Sequence, residues 1–261
     1  MRVALSSEGV FPLAQGEPTA VGASVSGTLQ GEGILVGVPS LFVRLAGCNL
    51  RCEFRGVDGS VAYCDTPHAQ RTSGGSVQEV AEVVQVVVEH LGALRHVVIT
   101  GGEPMLQAEA VAELCQGLKM ERDGLHITLE TNGTIFGEEV AGAVDLVSVS
   151  PKRQKETFVD GKPSCDYVLS LQRWLDAKRG CRDALQLKFV VGRKEDEVQL
   201  IDPLLSALEG WERFPVVIMP MGGDSTTMRA SEPVAVEMAI RRGWRYTPRL
   251  QVDLWGGRKG T

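Results

Sequence analysis

No stretch of this 261-residue chain approaches the roughly eighteen unbroken apolar residues that a membrane-spanning helix needs. An excess of basic charge is also missing. The 27 Lys and Arg against 33 Asp and Glu leave a net charge of −6, so no global positive field recruits nucleic acid or an anionic membrane surface. The opening MRVALSSEGVFPLAQGEP lacks the basic-then-apolar layout and small-residue cleavage site of a secretory signal. The expected compartment is therefore the cytoplasm, where thiols stay reduced. Internal repeats, low-complexity tracts and obvious linkers are absent as well, and one domain over 1–261 is expected, with an N-terminal extension over 1–20. What is present is a composition 43% hydrophobic and 23% charged, enough to bury a core without disulfide or metal staples. The six cysteines thus read as ligands or as small buried hydrophobes.

Short β-rich runs alternate with helical stretches. Strands are expected over 40–45, 96–100, 126–130, 145–150, 185–191, 216–220 and 249–255. Residues 76–92 carry apolar side chains at three- and four-residue intervals, and Ser76 with Glu79 has the capping-box spacing of a helix start. Further helices are expected over 105–119, 166–178, 194–209 and 231–243, and loops over 53–63 and 152–166. The strands are nearly continuous in apolar residues, as when both faces are covered. This pattern predicts an α/β fold, a partial, open βα barrel of about six βα units. The polar clusters Cys48, Gly101–Glu103, Glu130–Asn132 and Ser150–Lys152 each follow one of these strands, so all fall at the same end, where such folds build their sites.

The first of these clusters reads CNLRCEFRGVDGSVAYCDT, with Cys48, Cys52 and Cys64 separated by three and then eleven residues. A structural zinc site takes four ligands, for which His68 offers a fourth here. A 4Fe–4S cluster on three thiolates instead leaves one iron open for a substrate or cofactor. Cys115, in AVAELCQGL, reads as core packing, whereas Cys165 and Cys181 have no partners at ligand spacing. RGVDGS, at the tip of the long gap, has the turn residues of a hairpin.

CNLRC with CDT, GGEP after the next strand and SPK further on resemble the radical S-adenosylmethionine superfamily. Its usual spacing puts two residues between the second and third cysteines, so this chain carries an insertion of nine, within 53–63. The resemblance implies that Cys48, Cys52 and Cys64 hold a 4Fe–4S cluster whose fourth iron takes S-adenosylmethionine. It assigns the cofactor to Gly101, Gly102, Glu103, Glu130, Asn132, Ser148, Ser150 and Lys152. Glycines admit close backbone approach, Glu103 accepts from the methionyl ammonium, Glu130 and Asn132 suit a ribose, and Lys152 pairs with the methionyl carboxylate.

TLQGEG over 28–33, the run FVRLAGCNLRC, ETNGT, VVIMPMG and the terminal DLWG narrow the resemblance to the 7-carboxy-7-deazaguanine synthase family. That likeness implies a lyase of queuosine and 7-deazapurine biosynthesis. Its reaction converts 6-carboxy-5,6,7,8-tetrahydropterin to 7-carboxy-7-deazaguanine with loss of ammonia. It also implies Mg²⁺ at Thr66, a flavodoxin-like electron donor and a homodimer. Gln30, Gly31 and Glu32 would meet the pterin's aminopyrimidone edge, and Arg44 would fork onto its carboxylate. Gln251 stands where relatives commonly carry a histidine. Two other readings weighed against this one are a glycyl-radical enzyme activator, which lacks TLQGEG and DLWG, and a non-enzymatic zinc-stabilised module using His68.

Overall fold

The computed structural model describes residues 1–261. The chain opens with β1 (Arg2–Phe11), β2 (Thr28–Leu29) and β3 (Pro39–Leu45). A hairpin of β4 (Glu53–Arg55) and β5 (Val61–Tyr63) follows, then β6 (Ser76–Glu79), α1 (Val80–Leu91), β7 (His96–Gly101), α2 (Ala108–Glu121) and β8 (His126–Thr131). Next come α3 (Glu138–Ala143), β9 (Leu146–Val149), a small hairpin of β10 (Phe158–Val159) and β11 (Lys162–Pro163), and α4 (Cys165–Lys178). The chain ends with β12 (Leu185–Val191), α5 (Asp202–Ser206), β13 (Val216–Pro220), α6 (Ser225–Arg242), β14 (Arg245–Tyr246) and α7 (Leu250–Trp255).

Strands β3, β7, β8, β9, β12, β13 and β14 pair in that order, all parallel. The helices α1 to α6 supply the six crossovers between them, so the expected six βα units are present. β6 and β14 lie at opposite ends of the strand order without pairing, which leaves the barrel open. Leu41, Phe42, Val43 and Leu45 of β3 are all buried, as both-faces coverage demands. One contiguous apolar cluster extends from Val3 and Leu5 in β1 to Met238 and Ala239 in α6. Cys115 sits inside it, fully buried, and burial pushes its thiol up to about 12.

Three expectations are corrected. The stretch taken as an N-terminal extension over 1–20 contains β1, which lies antiparallel between β3 and β6 and belongs to the sheet. Ser76 does not cap a helix. Ser76–Glu79 is extended, with Ser76 opposite Leu5 and Glu79 opposite Arg2, because β1 would otherwise expose an unpaired edge. The cap falls on Glu79, which exchanges hydrogen bonds with the start of α1 through Glu82. RLQVDLW, expected as a strand, is the helix α7. The alternation of Leu250, Val252 and Leu254 is not a strand's buried face: only Val252 is buried, and Gly256 stops the helix with φ +64°.

Several boundaries also move. α2 begins at Ala108 after a tight turn over Pro104–Gln107, and the expected 194–209 helix is a wide turn over Glu197–Ile201 followed by α5. α6 begins at Ser225, where Asp224 accepts hydrogen bonds from the Thr226 and Thr227 amides.

Candidate active site

The carboxyl ends of the parallel strands open into one cavity of about 320 Å³. β3 leads to Cys48, β7 to Gly101 and Gly102, β8 to Thr131 and Asn132, and β9 to Ser150 and Lys152, and all of these residues line it. Every site residue expected from the sequence is on its wall except Glu103.

The odd cysteine spacing has a geometric explanation. Cys52 immediately precedes β4 and Cys64 immediately follows β5, and their neighbours Glu53 and Tyr63 are a cross-strand pair. An antiparallel hairpin returns the chain to its starting point, so the inserted residues fold away without separating the two thiols. Gly56 N donates to the Ser60 carbonyl at 2.9 Å, and Asp58 Oδ1 accepts from Ser60 N at 2.9 Å, which closes the expected tip. The Arg55 carbonyl then packs on Gly192, where a Cβ would stand 2.2 Å from its oxygen.

Cys48, Cys52 and Cys64 all face the cavity, and their soft sulfurs fit an iron–sulfur cluster. Burial pushes the Cys48 thiol up and that of Cys52 to about 11, with the Lys152 ammonium pulling Cys52 the other way. No three His, Cys, Asp or Glu side chains close on a common point as ligands of a single ion do, whereas thiols that each bind a different iron need no such convergence. His68 is paired with a carboxylate. Its Nε2 is 2.9 Å from Glu8 Oε2. Thr66 Oγ1 lies 3.4 Å from Cys64 Sγ.

The glycines of GGEP answer to backbone packing as well as to the cavity. A Cβ on Gly101 would stand 2.4 Å from the Leu45 carbonyl, and one on Gly102 would stand 2.2 Å from that of Gly47, so β7 passes tightly against the segment entering Cys48. Glu103 is fully buried behind the wall. It accepts from Thr131 Oγ1 (2.7 Å), Asn132 N (2.7 Å) and Met105 N (3.0 Å), although burial still holds its pKa above the usual carboxylate range. It buttresses the end of β8. Asn132 Nδ2 in turn donates to Asn49 Oδ1 at 3.0 Å, beside Cys48.

Glu130 accepts from Thr100 Oγ1 at 2.8 Å and from Gln30 Nε2 at 3.3 Å. Lys152 Nζ donates to Ser150 Oγ at 2.8 Å and stands 5.4 Å from the Phe54 ring centre, and burial lowers its pKa. Ser148 Oγ accepts from Gln186 Nε2 at 2.7 Å.

Beside β1, Arg44 of β3 pairs with Glu8 and lies 5.0 Å from the Phe11 ring centre. Glu32 is ringed by cations. Its Oε2 meets Lys188, and its Oε1 faces Arg249 Nε at 3.1 Å and Gln251 Nε2 at 2.8 Å. Burial alone would raise the Glu32 carboxyl, but Lys188 and Arg249 outweigh it and hold the group well below the usual range. Gly31 makes room for this arrangement, since a Cβ there would be 1.8 Å from Gln251 Oε1.

Glu8, Lys188 and Arg249 are the site residues that sequence reasoning missed. Lys188 carried a usable signal, a lone charge in the apolar run LQLKFVV, the same kind that marked Arg44 in LFVRLAG. Arg249 carried none.

Three cavity-facing thiols after the first parallel strand, on an open βα barrel, define a radical S-adenosylmethionine enzyme, and the family model described as the radical SAM superfamily matches residues 43–151. Similar proteins make the family specific. A 7-carboxy-7-deazaguanine synthase of Rhodopirellula baltica is 35% identical over 238 residues, covering 89% of this chain and 85% of the relative. One of Halobacterium salinarum is 37% identical over 245 residues, covering 87% of each. The crystal structure of QueE from Escherichia coli shares the fold, with a TM-score of 0.61 at 23% identity over 92% of this chain and 94% of that one. The chain belongs to the 7-carboxy-7-deazaguanine synthase family.

Proposed function

We propose that this chain converts 6-carboxy-5,6,7,8-tetrahydropterin to 7-carboxy-7-deazaguanine and releases ammonia, as a radical S-adenosylmethionine enzyme of 7-deazapurine biosynthesis. The observation that carries the reading is the meeting in one cavity of the three thiols with a carboxylate, two basic side chains and an amide drawn from distant parts of the chain, Glu32, Lys188, Arg249 and Gln251. When bound, the cluster and S-adenosylmethionine would supply the radical chemistry, and the protein's part is to place the substrate for it.

The protein's own residues bind, orient and exclude water. Cys48, Cys52 and Cys64 would each hold one iron of the cluster. Lys152, an ammonium in a desolvated setting, takes the methionyl carboxylate, and Ser150 holds its Nζ in place. Gly101 and Gly102 offer bare backbone to the cofactor, Glu130 and Asn132 offer acceptors and donors to its ribose, and Ser148 completes that wall. Glu103 acts behind them by fixing Thr131 and Asn132. Gln30, Gly31 and Glu32 face the pterin's aminopyrimidone edge. Glu32, held ionised by its neighbours, accepts from the N–H pair, and Gln251 orients it.

Arg44 takes the substrate carboxylate and exchanges part of its pairing with Glu8 to do so. Thr66 would offer its hydroxyl to Mg²⁺, a hard ion that suits oxygen ligands. A cytoplasmic location, where thiols stay reduced, belongs to the same reading. A flavodoxin-like donor, a homodimer and a single domain over 1–261 complete the reading.

The test is anaerobic reconstitution with iron and sulfide, followed by incubation with S-adenosylmethionine, reductant, Mg²⁺ and the carboxypterin. One ammonia per 7-carboxy-7-deazaguanine is expected. A fully loaded, reduced protein that leaves the carboxypterin unchanged refutes the reading.

A further inference from the structure

The guanidinium of Arg249 faces three separate segments of the chain. Nε is 3.1 Å from Glu32 Oε1, Nη1 donates to the Gly222 carbonyl beyond β13, and Nη2 pairs with Asp65. Asp65 stands between Cys64 and Thr66, so one rigid planar group spans the loop of the third thiol and the carboxylate on the substrate side. The charges alternate along this path. From Asp65 it runs through Arg249, Glu32 and Lys188, and Lys188 Nζ lies 4.0 Å from Glu130 Oε1 on the cofactor wall.

The middle of this row is dry and its end is wet. The side chains of Lys188, Arg249 and Glu32 are 6%, 10% and 13% exposed, whereas that of Asp65 is 44% exposed. A buried ion that loses one partner keeps an uncompensated charge and must redistribute its remaining contacts. A change at the exposed end is therefore transmitted inward, which a surface ion pair would not do.

We propose that Arg249 is a positioning residue that couples the substrate pocket to the loop carrying Cys64. Substrate N–H groups that engage Glu32 compete for the oxygen facing Arg249 and leave the guanidinium to Asp65 and the Gly222 carbonyl, which it already contacts. That redistribution strengthens its hold on Asp65 and steadies the cluster loop once substrate is in place. Gln251, two residues further on, also donates to Glu32, so α7 is tied to the same redistribution. The inference rests on the reading that Glu32 meets the substrate and Cys64 an iron.

Asp65→Asn tests the coupling from its far end, since Asp65 is placed away from Glu32 and keeps its shape in the variant. The expected result is full iron content, faster amide exchange in residues 28–33 as well as in 61–68, and a KM for the carboxypterin raised about tenfold while kcat changes less. Arg249→Lys, which keeps the charge but not the three directed contacts, is expected to raise KM at least as much and to leave exchange at 28–33 fast. An effect of Asp65→Asn confined to exchange in 61–68, with KM unchanged, would overturn the proposal. If wild-type protein makes no product from the carboxypterin, the functional reading falls. Exchange at 28–33 in Asp65→Asn, measured without iron or substrate, still decides the coupling.

Discussion

The two ends of the parallel sheet carry similar side chains and put them to opposite uses. At the amino ends, His96 shares hydrogen bonds with Ser40 Oγ at 2.7 Å and Thr128 Oγ1 at 2.8 Å, and His126 packs edge-on against it with ring centres 5.1 Å apart. Asp145 accepts from Ile127 N at 2.8 Å and Lys119 Nζ at 3.0 Å, and Lys178 Nζ donates to the Val144 carbonyl at 2.6 Å. Most polar groups there are satisfied by one another around solid packing. At the carboxyl ends the charges Glu130, Lys188, Glu32, Arg249 and Asp65 alternate around an open cavity that also takes three thiols. The amino end spends its polarity on stability, and the carboxyl end keeps its polarity for a ligand.

Breaking the carboxyl end at its thiols gives the largest effect. Cys64→Ala is expected to abolish product formation and lower bound iron severely, while the thermal midpoint of the metal-free protein stays close to wild type because Cys64 is only half-buried. Iron and sulfide analysis beside calorimetry measures both. Lys188→Met strikes the charge row instead. With Glu32 left among fewer cations, urea unfolding is expected to show a loss of ~3–5 kcal/mol, partly recovered in the double variant with Glu32→Gln.

The amino end is broken by acid. Burial lowers His96 from its ordinary 6.5 to about 4, so the fold favours the neutral ring. Its contribution is complete above pH 6.5, falls as the pH drops toward 4, and changes no further below that. The size is about 3 kcal/mol across that window. His96→Gln is expected to flatten the stability profile between pH 6.5 and 4, with product formation at neutral pH unchanged. The smallest effect sharpens the contrast among thiols. Cys165 and Cys181 are exposed, and replacing both by serine is expected to leave iron content unchanged and stability within about 0.5 kcal/mol.

Legibility in the sequence followed the range of the interactions involved. The parallel strands are readable because each is a local apolar run, and the cysteine, GGE, ETN and SPK clusters because each directly follows one. The charge row is not readable in this way. Glu32 meets Lys188 across 156 positions and Arg249 across 217, distances over which no local pattern constrains partner choice. β1 was hidden for a related reason. RVALSSEGVF becomes a strand because β3 and β6 flank it, and its Glu8 joins the site through the distant Arg44, His68 and Gly260. α7 misled by its alternating apolar residues, whose fate depends on Leu250 N bonding to the Gly31 carbonyl at 3.0 Å.

The central claim is that the carboxyl end holds a cluster on three thiols with one iron left open. Electron paramagnetic resonance of the reconstituted, reduced protein, recorded before and after adding S-adenosylmethionine, tests it most directly. About four irons per chain are expected, with a cluster signal that shifts when the cofactor is added. A protein that retains one zinc and no sulfide, or a cluster signal indifferent to the cofactor, would contradict it.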